Sequence, residues 1–319
     1  MRRIAVINQK GGVGKTTTTV NLGAALARKG RRVVLVDLDP QANLTVHLGI
    51  EAPEGSPSMY PVLLSDKPFA EVLRPTSTPG LRLAPSNLDL SGAEVELVAE
   101  IGRETRLRDA LERWTKSGDD ADFVLIDCPP SLGLLSMNAL VAADEVFLAA
   151  QTEFFALRGL TKLLELVELV KRRLNPSLEV TGVIAGLYDA RRNLAREILS
   201  ELRAYFGAKL FATAIRENVR LAEAPSHGKS IFEYAPDSKG AADYLALAGE
   251  VLGEAVPAPT AEAESAEVAE PAATAVAAPG GDTPASEERS AAPPAAGSDL
   301  RAGAPSPAGA ETQAEAAGA

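Results

Sequence analysis

The stretch "NQKGGVGKTT", Asn8 to Thr17, decides the fold. It follows a short apolar run, "RIAVI" from Arg3 to Ile7, and opens a helical pattern at Lys15. A strand, a glycine-rich turn and a helix in that order is the context in which a P-loop works. Gly11, Gly12 and Gly14, with Val13 between them, let backbone N–H groups close around phosphates, and the helix N-terminus favours their negative charge. In that geometry Lys15 reaches the β- and γ-phosphates, Thr16 ligates Mg2+ and Thr17 bonds the α-phosphate. The competing reading is a strand-to-helix turn with a solvated lysine. One position breaks the usual pattern: Gln9 stands five residues before Gly14, where glycine is expected, and a second lysine, Lys10, precedes the glycines. Phosphate binding by a single loop needs one lysine.

Outward from this loop, apolar runs bounded by turn residues recur: "RVVLVDLD" from Arg32, "DFVLIDCPP" from Asp122, "EVFLAA" from Glu145 and "LEVTGVIAGL" from Leu178. Continuous apolar runs of this length predict strands covered on both faces. Helical patterns lie between them, over Lys15 to Lys29, Leu88 to Ile101, Glu104 to Thr115, Leu157 to Leu174, Asn193 to Phe206 and Ala241 to Leu252. The alternation predicts an α/β fold, a doubly wound, mostly parallel sheet with helices on both faces. Thr45 to Leu81, with "APEGSPS" and "RPTSTPG", is expected to be irregular with short helices.

The second strand ends with Asp37 and Asp39, two residues apart and therefore on one face of an extended chain. Ligands of open α/β sheets sit at this carboxyl edge. Asp39 before "PQANL" also suits a helix N-cap, so a purely local role stays open. A third apolar strand ends with Asp127, as a carboxylate that holds Mg2+ through water does. Cys128 is the only cysteine, which excludes an intramolecular disulfide and a site built of several thiolates from one chain. It is expected to be a buried small residue.

Composition divides the 319 residues near residue 254. Residues 254–319 are mostly Ala, Pro, Glu, Gly, Ser and Thr, with no aromatic residue, 11 acidic and 2 basic side chains. Such a segment buries too little apolar surface to offset its ordering entropy, so a disordered acidic tail is expected after a single domain over residues 1–253. The body holds 32 acidic and 30 basic residues, a balance of 30 − 32 = −2, so the overall −11 says little about partners. No apolar run approaches the ~20 residues of a membrane span, and the N-terminus lacks the pattern of a signal peptide. A cytoplasmic protein without membrane attachment is expected.

The loop with its second lysine resembles the deviant Walker A form of the ParA/MinD superfamily of ATPases. "AQTEFFALRGL" from Ala150, "YDARRNL" from Tyr188 and "NVRLAEAPSHGKSI" from Asn218 narrow the resemblance to chromosomal, Soj-type ParA proteins over residues 1–253. The resemblance implies ATP and Mg2+ as ligands and a homodimer when ATP is bound, in which Lys10 crosses to the partner's nucleotide. It further implies that Asp39 positions the attacking water, that Asp37 lies near Mg2+, that Asn218 contacts the nucleotide, and that Arg191 and Arg220 contact DNA without reading sequence. Nucleoid association and a ParB-like partner follow from the same likeness. The alternative is a related switch that positions another cargo along the nucleoid. The single cysteine argues against the iron–sulfur branches, and the acidic C-terminal segment against the membrane-binding MinD branch.

Independently, Tyr188 to Lys229 carries eight basic residues, Lys229 among them, against five acids, a local excess of 8 − 5 = +3. By charge alone, solvated helix faces explain this as well as a phosphate-binding patch does. Three positions depart from the family pattern: Arg216 and Glu217 replace a usual Pro-Arg pair, and Arg158 stands where Glu is common.

Overall fold

The computed structural model describes residues 1–119, 121–153 and 156–254. The expected acidic tail, apart from Glu254, lies outside the described residues, as does the side chain of Arg158. Glu254 itself is tied to the body: its N–H bonds Gly249 O at 2.9 Å and its carboxylate pairs with Lys29 at 2.6 Å.

Seven strands form one sheet: β1 (Arg2–Ile7), β2 (Val33–Asp37), β3 (Arg74–Pro75), β4 (Leu81–Ala84), β5 (Phe123–Asp127), β6 (Glu145–Gln151) and β7 (Glu179–Gly186). Their order is β3-β4-β2-β5-β1-β6-β7, parallel throughout except for the β3–β4 pair. β1 lies inside the sheet, flanked by β5 and β6, and later strands extend the sheet on both sides of it. This is the doubly wound, mostly parallel sheet that the alternation of apolar runs predicts.

Successive residues of each strand face opposite layers, as a period of two requires. Val34, Val36, Val124 and Ile126 join one core with the helices Met59–Leu64, Arg106–Lys116, Leu134–Ala142 and Asn193–Phe206. Val33, Leu35, Phe123 and Leu125 join the other, with the helices Lys15–Arg28 and Lys239–Val251. The helix after the P-loop packs close to β2, because a Cβ on Gly23 would stand 2.6 Å from Leu35 Cδ2. Asn21 anchors the same helix from its side: its Oδ1 accepts from Ile231 N at 2.8 Å and its Nδ2 donates to Thr17 O at 2.8 Å.

Three local differences from the sequence expectation have physical reasons. The irregular stretch does hold short helices, Asn43–His47, Met59–Leu64 and Phe69–Val72, but β3 and β4 interrupt it as well. β4 is only "LRLA", too short to stand out, and its strand character comes from pairing with β2. The helix expected over Leu88 to Ile101 is α-helical only over Leu90–Glu96 and tightens to a 3-10 turn at Leu97–Ala99. Finally, Leu134–Ala142 is a helix that periodicity does not reveal, since seven of its nine residues are buried. No helix among the described residues is long and apolar enough to cross a membrane.

Candidate functional site

The carboxyl ends of β2, β5 and β1 lie side by side, with Asp37 opposite Asp127 and Val6 opposite Asp127 in the register. The P-loop leaves β1 at this edge. Gly12 and Gly14 take φ values of +75° and +88°, a left-handed backbone that a side chain would strain. Gly14 then caps the helix Lys15–Arg28, leaving its first N–H groups directed at the loop's concavity. Lys15 is buried, and its Nζ turns back to donate to Lys10 O at 3.2 Å. Thr16 Oγ1 donates to Asp127 Oδ2 at 2.6 Å, and Thr19 Oγ1 reaches Lys15 O at 3.0 Å.

Asp127 is fully buried, and burial, reinforced by the charge of Asp37, pushes its carboxyl up to about 8. Lys15 and the Thr16 hydroxyl pull it the other way without balancing burial. A buried carboxylate short of positive charge beside a threonine hydroxyl suits a hard divalent cation. Among the described residues no cluster of three or more His, Cys, Asp or Glu side chains is arranged around a metal. Mg2+ takes one or two protein oxygens and completes its shell with phosphate and water.

Asp37 and Asp39 differ in their surroundings although they are two residues apart. Asp37 Oδ1 accepts from Asp39 N at 3.1 Å, and its Oδ2 accepts from Thr45 N at 2.9 Å and Thr45 Oγ1 at 2.7 Å. Its carboxyl is pushed up to about 6, chiefly by burial. Asp37 thus fixes the loop from Asp39 to Thr45, a role the sequence does not announce. Asp39 reaches the cleft, and its Oδ1 accepts from Gln41 N at 2.9 Å, a local turn bond. The cap of the following helix is Ala42, at φ +52°, rather than Asp39.

The cleft above the P-loop measures about 690 Å3. Gly11 to Thr18, Asp39, Asn218, Leu221 and Tyr244 are among its lining residues. Asn218, one of the lining residues, caps the following helix: its Oδ1 accepts from Arg220 N at 2.9 Å. Arg216, which replaces the usual family residue, is held by Asp243 through its backbone N at 3.0 Å and its Nη2 at 2.6 Å. Its neighbours are pinned by backbone bonds, Tyr188 N to Ile215 O at 3.0 Å and Glu217 N to Tyr188 O at 3.0 Å. The substitution is therefore built into a rigid wall.

Lys10 is absent from that lining. Its half-exposed ammonium lies instead against Glu153 Oε2 at 2.5 Å and Gln151 Oε1 at 3.0 Å, at the end of β6. Sequence reasoning missed Glu153, whose link to Lys10 exists only in the folded chain. Arg191 and Arg220 are exposed and each meets an acid of its own chain, Asp189 at 2.9 Å and Glu223 at 2.9 Å. Arg192 pairs with Glu217 at 3.5 Å, which brings the Arg191 segment beside the Arg220 segment. Lys229 is exposed a few residues further along. Cys128 is buried, its thiol pushed up by burial, and unsuited to nucleophilic chemistry.

A strand-to-helix glycine loop, a buried magnesium-type carboxylate and a cleft of nucleotide size define a P-loop nucleotide-binding protein. The AAA domain family matches residues 1–180. The sporulation initiation inhibitor protein Soj of Bacillus subtilis is 50% identical over 248 residues, 78% of this chain and 97% of that protein. The chromosome partitioning protein ParA of Myxococcus xanthus is 47% identical over 256 residues, 80% of this chain and 89% of that one. A solved structure described as cobyrinic acid a,c-diamide synthase of Mycobacterium smegmatis, with bound ADP and magnesium, is 39% identical with a TM-score of 0.68. It covers 79% of this chain and 94% of its own. The chain belongs to the ParA/Soj family of chromosome-partitioning ATPases.

Proposed function

We propose that this ATPase is a switch that closes as a dimer on ATP, holds nucleoid DNA in that state, and is reset by hydrolysis. ATP and Mg2+ are its ligands. The P-loop amides of Gly11 to Gly14 cradle the phosphates, Lys15 and Thr17 bind them, and Thr16 and Asp127 hold the magnesium ion, with Asp37 behind them. Magnesium supplies charge neutralisation on the phosphate oxygens. Asp39 orients the attacking water from the cleft wall, and Asn218 meets the nucleoside.

The observation that carries the dimer reading is the direction of Lys10. Its ammonium serves neither its own cleft nor its own P-loop, but sits half-exposed beside Glu153. A loop lysine outside its own phosphate site is placed to serve a neighbour's. Arg191, Arg220 and Lys229, doubled across such a dimer, would neutralise phosphates without reading bases. A ParB-like partner carried by the chromosome would stimulate hydrolysis and release DNA, and no membrane is involved.

Lys10→Ala tests this. It should keep nucleotide binding by calorimetry yet fail to sediment as a dimer with ATP. A variant that still dimerises and turns over ATP as the wild type does would reduce the loop to an ordinary P-loop.

A further inference from the structure

Residues 88–101 read "LDLSGAEVELVAEI", with four acids and no basic residue. The helix here, Leu90–Glu96, runs on into the 3-10 turn Leu97–Ala99. Leu90, Ala93 and Leu97 recur at helical spacing, are fully buried and belong to the core. Leu88, Val95 and Val98 also recur at helical spacing, but on the opposite face, where they are 58%, 76% and 58% exposed. Ile101, just past the turn, is 96% exposed. The core accounts for the first stripe and leaves the second without a role in folding. A lone exposed aliphatic is ordinary, whereas several along one face mark an interaction surface.

The charges around this face say what it can take. Glu94 and Glu96 stand on either side of Val95 around the helix, and Glu100 lies between Val98 and Ile101 in the chain. Glu96 Oε1 accepts from the hydroxyl of Tyr60, a neutral donor, at 3.0 Å, and Glu100 pairs with Arg106 at 2.7 Å. An apolar stripe with acidic flanks repels nucleic acid and anionic membrane alike. A second copy meeting the face with its own equivalent would set acid against acid. What matches both features is a helix with aliphatic residues at i, i+3, i+4 and i+7 and Lys or Arg beside them. We propose that the outer face of this helix is a docking surface for a basic amphipathic helix of another protein.

Its place in the fold is close to the nucleotide cleft. Gly133 has no room for a Cβ against the Glu94 carboxylate, so the helix lies directly on the loop that follows Asp127. Pro130 of that loop lines the cleft. A partner on the outer face is therefore one loop away from the P-loop site, although docking does not depend on that site binding ATP.

The test uses the full chain and a synthetic helix-forming peptide of leucine and lysine, with the leucines at helical spacing. A second peptide of the same composition, scrambled so that no face is apolar, carries equal charge. Fluorescence anisotropy should show the amphipathic peptide binding about tenfold more tightly than the scrambled one. Hydrogen exchange should show protection over residues 88–101 by the amphipathic peptide alone. Val95→Asn combined with Ile101→Asn alters two exposed side chains outside the core and should remove most of the preference. Glu96→Gln combined with Glu100→Gln should weaken binding several-fold, an effect that shrinks as salt is raised. Equal binding of the two peptides, or protection confined to other residues, would overturn the proposal. So would loss of the ATP-dependent dimer in the Val95→Asn, Ile101→Asn variant, which would assign the face to a second copy of the chain.

Discussion

The phosphate end of the cleft and the arginine-bearing edge beside it are built on opposite principles. At the phosphate end, buried Asp37 is held by Thr45 of the short helix Asn43–His47, Asp127 by Thr16 of the first helix and Lys15 by the P-loop carbonyl of Lys10. At the edge, Arg191 and Arg220 stand exposed, and each is matched to an acid two or three residues away. The first region is organised before any ligand arrives, since its buried charges have no water to fall back on. The second is held by surface ion pairs worth about 0–1 kcal/mol each, which a polyanion displaces at little cost. The proposed switch would use this division: rigid chemistry where phosphate is cleaved, and exchangeable charge where DNA would be gripped and let go.

The comparison is most severely tested at Asp39. If this carboxylate orients water, Asp39→Ala should lower ATP turnover by about 10²- to 10⁴-fold. ATP affinity should stay near the wild-type value, because the phosphates are held elsewhere. Steady-state turnover set beside equilibrium binding reads both. A comparable loss of binding would mean that Asp39 belongs to the preformed phosphate cradle.

The arginine edge should respond in proportion to charge. Arg191→Glu should weaken binding to random-sequence duplex DNA about tenfold and reduce the slope of log affinity against log salt by about one for each phosphate no longer neutralised. Asp189→Asn frees Arg191 from its pair and should strengthen binding modestly, with no change in ATP turnover without DNA. Titrations at several salt concentrations decide. If Asp189→Asn weakened DNA binding, the Arg191–Asp189 pair would be a positioning device rather than an exchangeable one.

Asp127 gives the rigid side a measurable cost. Its carboxyl is held near 8 against an ordinary 3.8, so the folded protein binds this proton more tightly than the unfolded chain does. The sign follows: the stability it contributes is full below the unfolded value and is lost as pH rises through the folded one. Metal-free wild type should therefore lose stability between pH 5 and pH 8, whereas Asp127→Asn should not. At pH 8 without metal the variant's Tm should exceed that of the wild type. Mg2+ with nucleotide should raise the wild-type Tm and leave the variant nearly unmoved.

How much of this was legible in the sequence follows the same division. The P-loop and the strands ending in Asp37 and Asp127 were readable because their signals are local: apolar runs, glycines at fixed offsets, a carboxylate at a strand end. β4 was invisible because four residues carry no pattern of their own, and the helix Leu134–Ala142 because burial on nearly all sides erases amphipathic spacing. The partner of Lys10 was unreadable for a stronger reason. Glu153 lies 143 residues from Lys10. Asp37 and Thr45 are eight residues apart, but the turn that joins them is set by the left-handed backbone at Ala42.

Glu153 beside the P-loop carries an exchangeable surface pair of its own, and the smallest expected effect is there. In the single chain it holds Lys10 at 2.5 Å, with Gln151 Nε2 bracing its other oxygen at 2.5 Å. Both partners are more than half exposed, so solvent screens the pair and it contributes about 0–1 kcal/mol. In the proposed dimer Lys10 would have to leave this contact to reach a second subunit, and that cost would oppose dimerisation once per chain. Glu153→Gln keeps the shape and removes the charge. It should tighten the ATP-dependent dimer by a few-fold, and by no more than about thirtyfold were each chain to contribute the full ~1 kcal/mol, with intrinsic nucleotide affinity unchanged. Sedimentation across protein concentration at fixed ATP measures the shift, which should shrink as salt is raised. A weaker dimer would show that Glu153 guides Lys10 toward the partner rather than restraining it, and Lys10 would then belong with the preorganised phosphate machinery instead of the exchangeable surface.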